Sequence, residues 1–260
     1  MTEEGVVAKK ARKKPRKRLS RQQQRRRTLL RSGLAGFALL LLQPIAHLPL
    51  VRRVHARLRP PGATDENAFL GACIKCGQCV QVCPVDAIVL ADMDEGFGNA
   101  VPYIDARAQA CDFSCDAVSC VLACPTGALT HEIRTKEEVR SGLARLARPD
   151  ACLARSGKGF LGVTRGPQFG GRLRYEAVDR WNAIAIAEHP YDREICDLCV
   201  IECPIGDSAI RLEEFADAEA PGAMTPVVGD GCVGCGVCEM VCPEEPTCIV
   251  VDPFERGATA

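Results

Sequence analysis

The chain has 260 residues and a formal net charge of zero, with 33 Lys and Arg against 33 Asp and Glu. That balance is a cancellation: residues 1–60 hold 17 of the basic residues but only Glu3 and Glu4, leaving 16 basic and 31 acidic residues in 61–260. A basic leader therefore precedes an acidic body, and an acidic body lacks the concentrated positive charge that a nucleic-acid partner requires. Hydrophobic residues make up 47%, enough for a folded protein, but aromatic residues only 5%, which is thin for ordinary cores. The 17 cysteines are the compensating feature, and their spacing must decide between disulfides, zinc, haem and iron–sulfur clusters.

Residues 1–56 read as the leader. Lysines and arginines crowd residues 9–31, and an apolar run follows from Gly33 to Val51, broken only by Gln43, Pro44 and His47. Basic then apolar is the order of an export signal or membrane anchor. The join, Arg26-Arg27-Thr28-Leu29-Leu30-Arg31, resembles the twin-arginine signal, whose route exports proteins already folded around a cofactor. Val54-His55-Ala56 resembles a cleavage site. The apolar run, at about 1.5 Å per residue, also just spans a bilayer, so a retained anchor stays open.

The body repeats one cysteine pattern. The first motif is Cys73-x2-Cys76-x2-Cys79-x3-Cys83-Pro84, followed by an expected strand pair over Ala87–Ala91 and Ala100–Ile104. The second is Cys111-x3-Cys115-x4-Cys120-x3-Cys124-Pro125. After it, Arg134–Leu146 has helical spacing. The third motif is one cysteine short, Cys196-x2-Cys199-x3-Cys203-Pro204, and the fourth is complete, Cys232-x2-Cys235-x2-Cys238-x3-Cys242-Pro243. Ile249–Val251 reads as a last short strand.

The first and fourth motifs match the bacterial ferredoxin run. A [4Fe–4S] cube needs one thiolate per iron; a tight loop supplies three, Gly77 and Gly236 let the backbone turn closely, and the fourth cysteine ligates the neighbouring cluster. Motifs therefore act in pairs. One cluster takes Cys73, Cys76, Cys79 and Cys124, and its neighbour Cys111, Cys115, Cys120 and Cys83. In the second pair, one takes Cys232, Cys235, Cys238 and Cys203, and the last takes Cys196, Cys199, Cys242 and a remote first ligand. Cys152 is the candidate, across an insertion at 153–195 whose closure entropy grows only logarithmically with length. The alternative is a buried Cys152 thiol beside a [3Fe–4S] site. Cys248 remains, in the slot held by Ala87, Ala128 and Ala209 in the other repeats, and reads as a small buried side chain.

Rival readings fit less well. No cysteine precedes a histidine as haem attachment needs, zinc favours paired Cys-x2-Cys units without the fourth cysteine and proline, and nothing about disulfides calls for four such repeats. Gly157-x-Gly159-x2-Gly162 has the dinucleotide spacing but not the strand-to-helix context, and reads as a flexible loop over the third site. Tyr175 and Trp181 in the same insertion read as anchors of that loop. His131 and His189 read as surface or satisfied histidines, and Glu137-Glu138 and Glu213-Glu214 as solvated helix faces.

The expected fold is α+β: two tandem bacterial-type dicluster ferredoxin modules, over 57–150 and 151–260, with the clusters serving as their cores. From Arg57-Leu-Arg-Pro-Pro-Gly-Ala-Thr-Asp-Glu-Asn-Ala-Phe69 through all four motifs to about Ile249, and in its twin-arginine leader, the chain resembles the MauM/NapG ferredoxin-type proteins of methylamine utilisation and periplasmic nitrate reduction. It departs from them in the three residues between Cys111 and Cys115, where two are usual, and in the remoteness of Cys152. The resemblance implies four [4Fe–4S] clusters, export to the periplasm, and no catalysis of its own: electrons relayed between a polytopic quinol-oxidising membrane protein and a periplasmic redox enzyme or c-type cytochrome. The other readings are the iron–sulfur subunit of a stable oxidoreductase complex and an assembly factor for a partner enzyme.

Overall fold

The computed structural model describes residues 57–254, apart from 93–97, 116–117, 176–178, 180 and 217–219, together with residues 22, 29, 30, 32 and 33. The twin-arginine pair, the apolar run beyond Gly33 and the Val54-His55-Ala56 segment lie outside the described residues. Two compact units divide between Arg53 and Val54, and the second, Val54–Ala260, carries every cysteine of the chain. Among the described residues no helix is long and apolar enough to cross a membrane.

The architecture is mixed, with short helices and two-stranded antiparallel sheets. The helices are α1 (Glu66–Ala72), α2 (Gln78–Gln81), α3 (Ser119–Leu122), α4 (Leu198–Ile201) and α5 (Val237–Val241). All but α1 are single turns, each carrying the next-to-last cysteine of a motif and ending just before the last. Helix α1 begins where the Asp65 carboxylate accepts from the Ala68 N–H at 3.0 Å. It brings Phe69 to full burial beneath the Arg59 guanidinium, which is itself held by Glu66 at 2.6 and 3.0 Å and by the Pro102 carbonyl at 3.0 Å.

A strand follows three of the four motifs, and an isolated bridge follows the second. Strand β1 (Ile88–Leu90) pairs with β2 (Pro102–Ile104), as the spacing predicts. After the second motif, Leu129 bridges back to Ala63. After the third, β8 (Ile210–Glu214) pairs with β9 (Met224–Val228), and after the fourth, β10 (Ile249–Pro253) pairs with β3 (Gly142–Leu146). Ile88, Leu129, Ile210 and Ile249, at the equivalent place in the four repeats, are all buried.

Strand β3 corrects the helix expected over Arg134–Leu146. Only Lys136–Glu138 turns, as one 3-10 turn whose Glu138 carboxylate accepts from the N–H groups of Arg134 (2.7 Å) and Thr135 (3.3 Å). Gly142-Leu-Ala-Arg-Leu146 prefers a helix locally, but pairing with β10 overrides that preference, and its burial alternates with period two. Gly142 has no room for a side chain, because a Cβ would meet the Asp252 carbonyl at 2.5 Å. Glu213 and Glu214, read as a helix face, are exposed but sit on strand β8.

The insertion is a built element and not a flexible loop. Strand β4 (Phe160–Gly162) pairs with β7 (Tyr191–Arg193), and β5 (Arg172–Leu173) with β6 (Ile184–Ala185). Gly159 lies so close to the backbone of Arg193 and Glu194 that any side chain would overlap it, which explains one glycine of the false dinucleotide motif. Tyr175 stacks on His189 at 4.0 Å and shares a 3.0 Å hydrogen bond with the Tyr191 hydroxyl, so it anchors the insertion as expected; Trp181 is exposed.

Arg107, between the first strand pair and the second motif, reaches the far end of the fourth motif. It donates to the carbonyls of Glu239 (2.5 Å), Cys242 (2.9 Å) and Glu244 (2.8 Å) and pairs with Glu245 at 2.9 Å. The Arg107 carbonyl in turn accepts from Arg165 of the insertion. Replacing Arg107 by alanine should destabilise the protein by about 2–4 kcal/mol, since three part-buried carbonyls lose a charged donor. Lysine, a point donor without the planar fork, should recover less than half of that in thermal denaturation of the anaerobic protein. Phe69→Ala, which empties a fully buried site, should cost about 3–5 kcal/mol in the same measurement.

Candidate metal centres

All 17 cysteines are free thiols, and the fold gathers sixteen of them into four sets. In every motif the last two cysteines are four residues apart across a one-turn helix, so the helix stands between two sets and gives one thiol to each. Cys73, Cys76, Cys79 and, from the second motif, Cys124 line an open cleft of about 370 Å³ whose floor includes Phe69 and Leu129. Cys203, Cys232, Cys235 and Cys238 line another of about 340 Å³. Cys152, Cys196, Cys199 and Cys242 line a third of about 400 Å³. Of the four remaining predicted ligands, Cys83, Cys111 and Cys120 pack in one apolar cluster with Cys73, Cys79 and Cys124, and Cys115 lies four residues from Cys111 in the same motif. Twelve of the predicted site residues thus line three clefts in the groupings that motif pairing assigns to them.

Cys152 reaches its set by a defined path. Strand β3 precedes Cys152 by a few residues, as Ala63, which bridges to Leu129, precedes Cys73. The insertion then closes on itself through β4 and β7, and the Cys196 N–H donates to the Lys158 carbonyl at 3.0 Å. Forty-three residues therefore leave and return at one point, and Cys196 lands beside Cys152. Cys248 is buried as expected, and it lines this same cleft as a fifth thiol.

Burial dominates the electrostatics. It pushes the Cys79 thiol up to about 11 and those of Cys120, Cys196 and Cys235 up to about 12, with neighbouring thiols adding to the rise for each. Cys111, Cys199 and Cys238 are raised well above the ordinary thiol value for the same reason. A set of buried thiols keeps its protons unless a cation replaces them, as iron would. Cys124 is the exception: it is only partly buried, and the N–H groups of Leu129 and Thr126 with the Thr126 hydroxyl outweigh burial and lower it.

Backbone donors reach the sulfurs from the strands that follow. The N–H of Ala87 donates to Cys83 Sγ at 3.3 Å, Leu129 to Cys124 Sγ at 3.5 Å, Cys248 to Cys242 Sγ at 3.5 Å, and Ala144 of β3 to Cys232 Sγ at 3.5 Å. Four thiols per set, charge-stabilising donors and an apolar lining make a donor set that fits a [4Fe–4S] cluster.

Sequence reasoning missed several groups around these sets. Besides Arg107, Gln109 exchanges hydrogen bonds with the backbone of Arg172, while Asp112 accepts from the Arg174 N–H at 3.1 Å and Ser114 from the Arg174 side chain. These fasten the insertion to the second motif. Glu202, next to Cys203, is driven up by burial and drawn back by a hydrogen bond with Tyr191. None carries a motif, and only long-range folding brings them together. His131, read as a satisfied surface residue, donates from Nε2 to the Cys124 carbonyl at 3.0 Å.

Comparison with known proteins agrees with this geometry. Residues 72–128 match the family described as 4Fe-4S dicluster domain, and residues 229–249 the 4Fe-4S binding domain. The ferredoxin-type protein NapG of Escherichia coli is 37% identical over 227 residues, covering 85% of this chain and 80% of that one. The methylamine utilization ferredoxin-type protein MauM of Methylorubrum extorquens is 34% identical over 241 residues, covering 89% and 90%. MauM of Paracoccus denitrificans is 32% identical over 225 residues, covering 86% and 82%. No solved structure matches the chain. The chain belongs to the NapG and MauM ferredoxin-type proteins, iron–sulfur carriers of electrons.

Proposed function

We propose that each of the four thiol sets holds one [4Fe–4S] cluster and that the chain relays electrons between a quinol-oxidising membrane protein and a periplasmic redox enzyme or c-type cytochrome. The observation that carries this reading is the three apolar clefts, each lined by four of the predicted ligands, with three of the other four packed in the apolar cluster beside the first. A [4Fe–4S] cluster supplies one-electron redox chemistry and no group transfer. The chain's own part is to hold the sulfurs, exclude water from them and aim backbone N–H groups at Cys83, Cys124, Cys232 and Cys242.

The place of Cys152 favours it as the fourth ligand of the third set, over a three-iron site with a spare thiol. The partners follow from chemistry that the resemblance implies, and the surplus of acidic residues in 61–260 suits docking on a basic face. The leader, with Arg26-Arg27 ahead of an apolar run, supports export by the twin-arginine machinery after the clusters have formed, with the chain acting at the outer face of the cytoplasmic membrane.

Anaerobically purified protein should contain about sixteen irons and as many acid-labile sulfides per chain. Zinc in their place would overturn the reading. Cys152→Ala should lower the iron content by between one and four atoms per chain and introduce a three-iron EPR signal or remove one four-iron signal; four intact clusters in that variant would free Cys152 of the assignment. Chelation of the iron should abolish most of the far-UV circular dichroism of the folded protein, because the sets form the interior of the body.

A further inference from the structure

The four sets are not equivalent in their surroundings, and the difference lies in two loops of the same design. Gly77 and Gly236 hold the same place in the first and fourth motifs and share a left-handed backbone, with φ of 73° and 92°. A Cβ on Gly77 would meet nothing within 4 Å, whereas one on Gly236 would meet the Ala106 Cβ at 2.6 Å and the Ala110 Cβ at 3.4 Å. Two residues earlier the pattern repeats. Lys75 takes a left-handed φ of 58° in the first motif, while its counterpart in the fourth is Gly234, where a Cβ would overlap the backbone of Gly142. The loop of the first motif is open, with Cys76 the one exposed cysteine of the 17. The loop of the fourth is pressed against residues 106, 110 and 142.

The pressed loop brings two sets into contact. The Cys111 N–H, of the second set, donates to the Cys235 carbonyl, of the fourth set, at 3.2 Å, and the two thiols interact electrostatically. Fully buried Ala110 sits beside them, its N–H against the Met240 sulfur at 3.2 Å. Other adjacencies join the remaining sets: helix α2, carrying Cys79 of the first, packs against α3, carrying Cys120 of the second, and α5, carrying Cys238 of the fourth, packs against α4, carrying Cys199 of the third.

We propose that the four sets are strung in one row, in the order first, second, fourth, third, and that the contact of Cys111 with Cys235 is the joint at which electrons cross between the two halves of the body. The order differs from the order of motifs along the chain. The outer members are the set with exposed Cys76 and the set completed by Cys152; Gly236 is a positioning residue whose missing side chain lets the inner two approach. The crossing is a one-electron exchange, in which one inner centre is oxidised as the other is reduced, with no bond broken and no proton transferred. The reductant and oxidant at the ends are the quinol-linked and periplasmic partners proposed above, and the inference rests on that four-cluster reading.

The test pairs Gly236→Ala with Gly77→Ala in the full chain. Both impose the same left-handed strain on an alanine, but only the first inserts a methyl into the joint. Iron and sulfide analysis comes first: fewer than about sixteen irons in the unaltered chain overturns the four-cluster reading itself. With that content established, pulsed dipolar EPR of the reduced protein should show the coupling of the inner pair lost or weakened several-fold in Gly236→Ala and unchanged in Gly77→Ala. Equal spectra in the two variants overturn the joint. Should Gly236→Ala fail to fold, the unaltered chain decides. A row gives couplings only between successive members, and a strong coupling between the set of Cys76 and that of Cys152 overturns it.

Discussion

Everything in this fold depends on one separation: within each motif, the last cysteine turns away from the three that precede it, or from the two in the third motif. The one-turn helices α2, α3, α4 and α5 enforce it, because a helix of four or five residues ends before the last cysteine and leaves it on the other side of the turn. No motif can complete its own set of four. The second motif must lie against the first, and the fourth against the third, before any set closes. The chain just after three of the motifs serves the same end, since the N–H groups of Ala87, Leu129 and Cys248 point back at the sulfur just departed.

That constraint explains why so much of the site was legible in the sequence and rather less of the fold. Cys-x3-Cys-Pro is a local signal with a local cause, and the pairing of motifs follows from it, so the expected membership of each set could be written down from spacing, save the first ligand of the third, where Cys152 was a candidate only. The strand pair β1–β2 was legible for a similar reason, being a short hairpin of alternating residues. Strand β3 was not, because nothing within Gly142–Leu146 distinguishes it from a helix; its partner lies more than a hundred residues away, at Ile249–Pro253. The insertion was illegible for the same reason. Its strands are two or three residues long, and what fixes them is Tyr175 against His189 and Tyr191, Gly159 against Arg193, and Arg174 against Asp112.

Arg107 shows how the two halves are held as one body. A guanidinium that serves three carbonyls ties the residue range just before Cys111 to the turn that carries Cys242. The insertion adds to the same tie through Arg165 and through Gln109 with Arg172. An insertion at this place is therefore no ornament on the third set. It spans from Cys152 to Cys196 and, on the way, grips the second motif, so the chain that separates two cysteines of one set also braces a different set.

The shortage of aromatic residues takes its meaning from the cores. Among the described residues the buried aromatics are Phe69, Phe113 and Tyr191, and the three apolar clusters are otherwise built from aliphatic side chains and cysteines. One cluster contains Cys152, Cys238, Cys242 and Cys248 and packs against Cys199, Cys203 and Cys232. In an ordinary domain of this size large rings fill the interior; here thiol-lined clefts adjoin two of the three cores, and iron and sulfide would supply the bulk that fills them. The same thiols that are driven up by burial are stabilised as thiolates only when that cation-bearing bulk is present. Core packing and cofactor binding are therefore one interaction in this protein, and a substitution at a cluster cysteine acts as a core substitution and a ligand substitution at once.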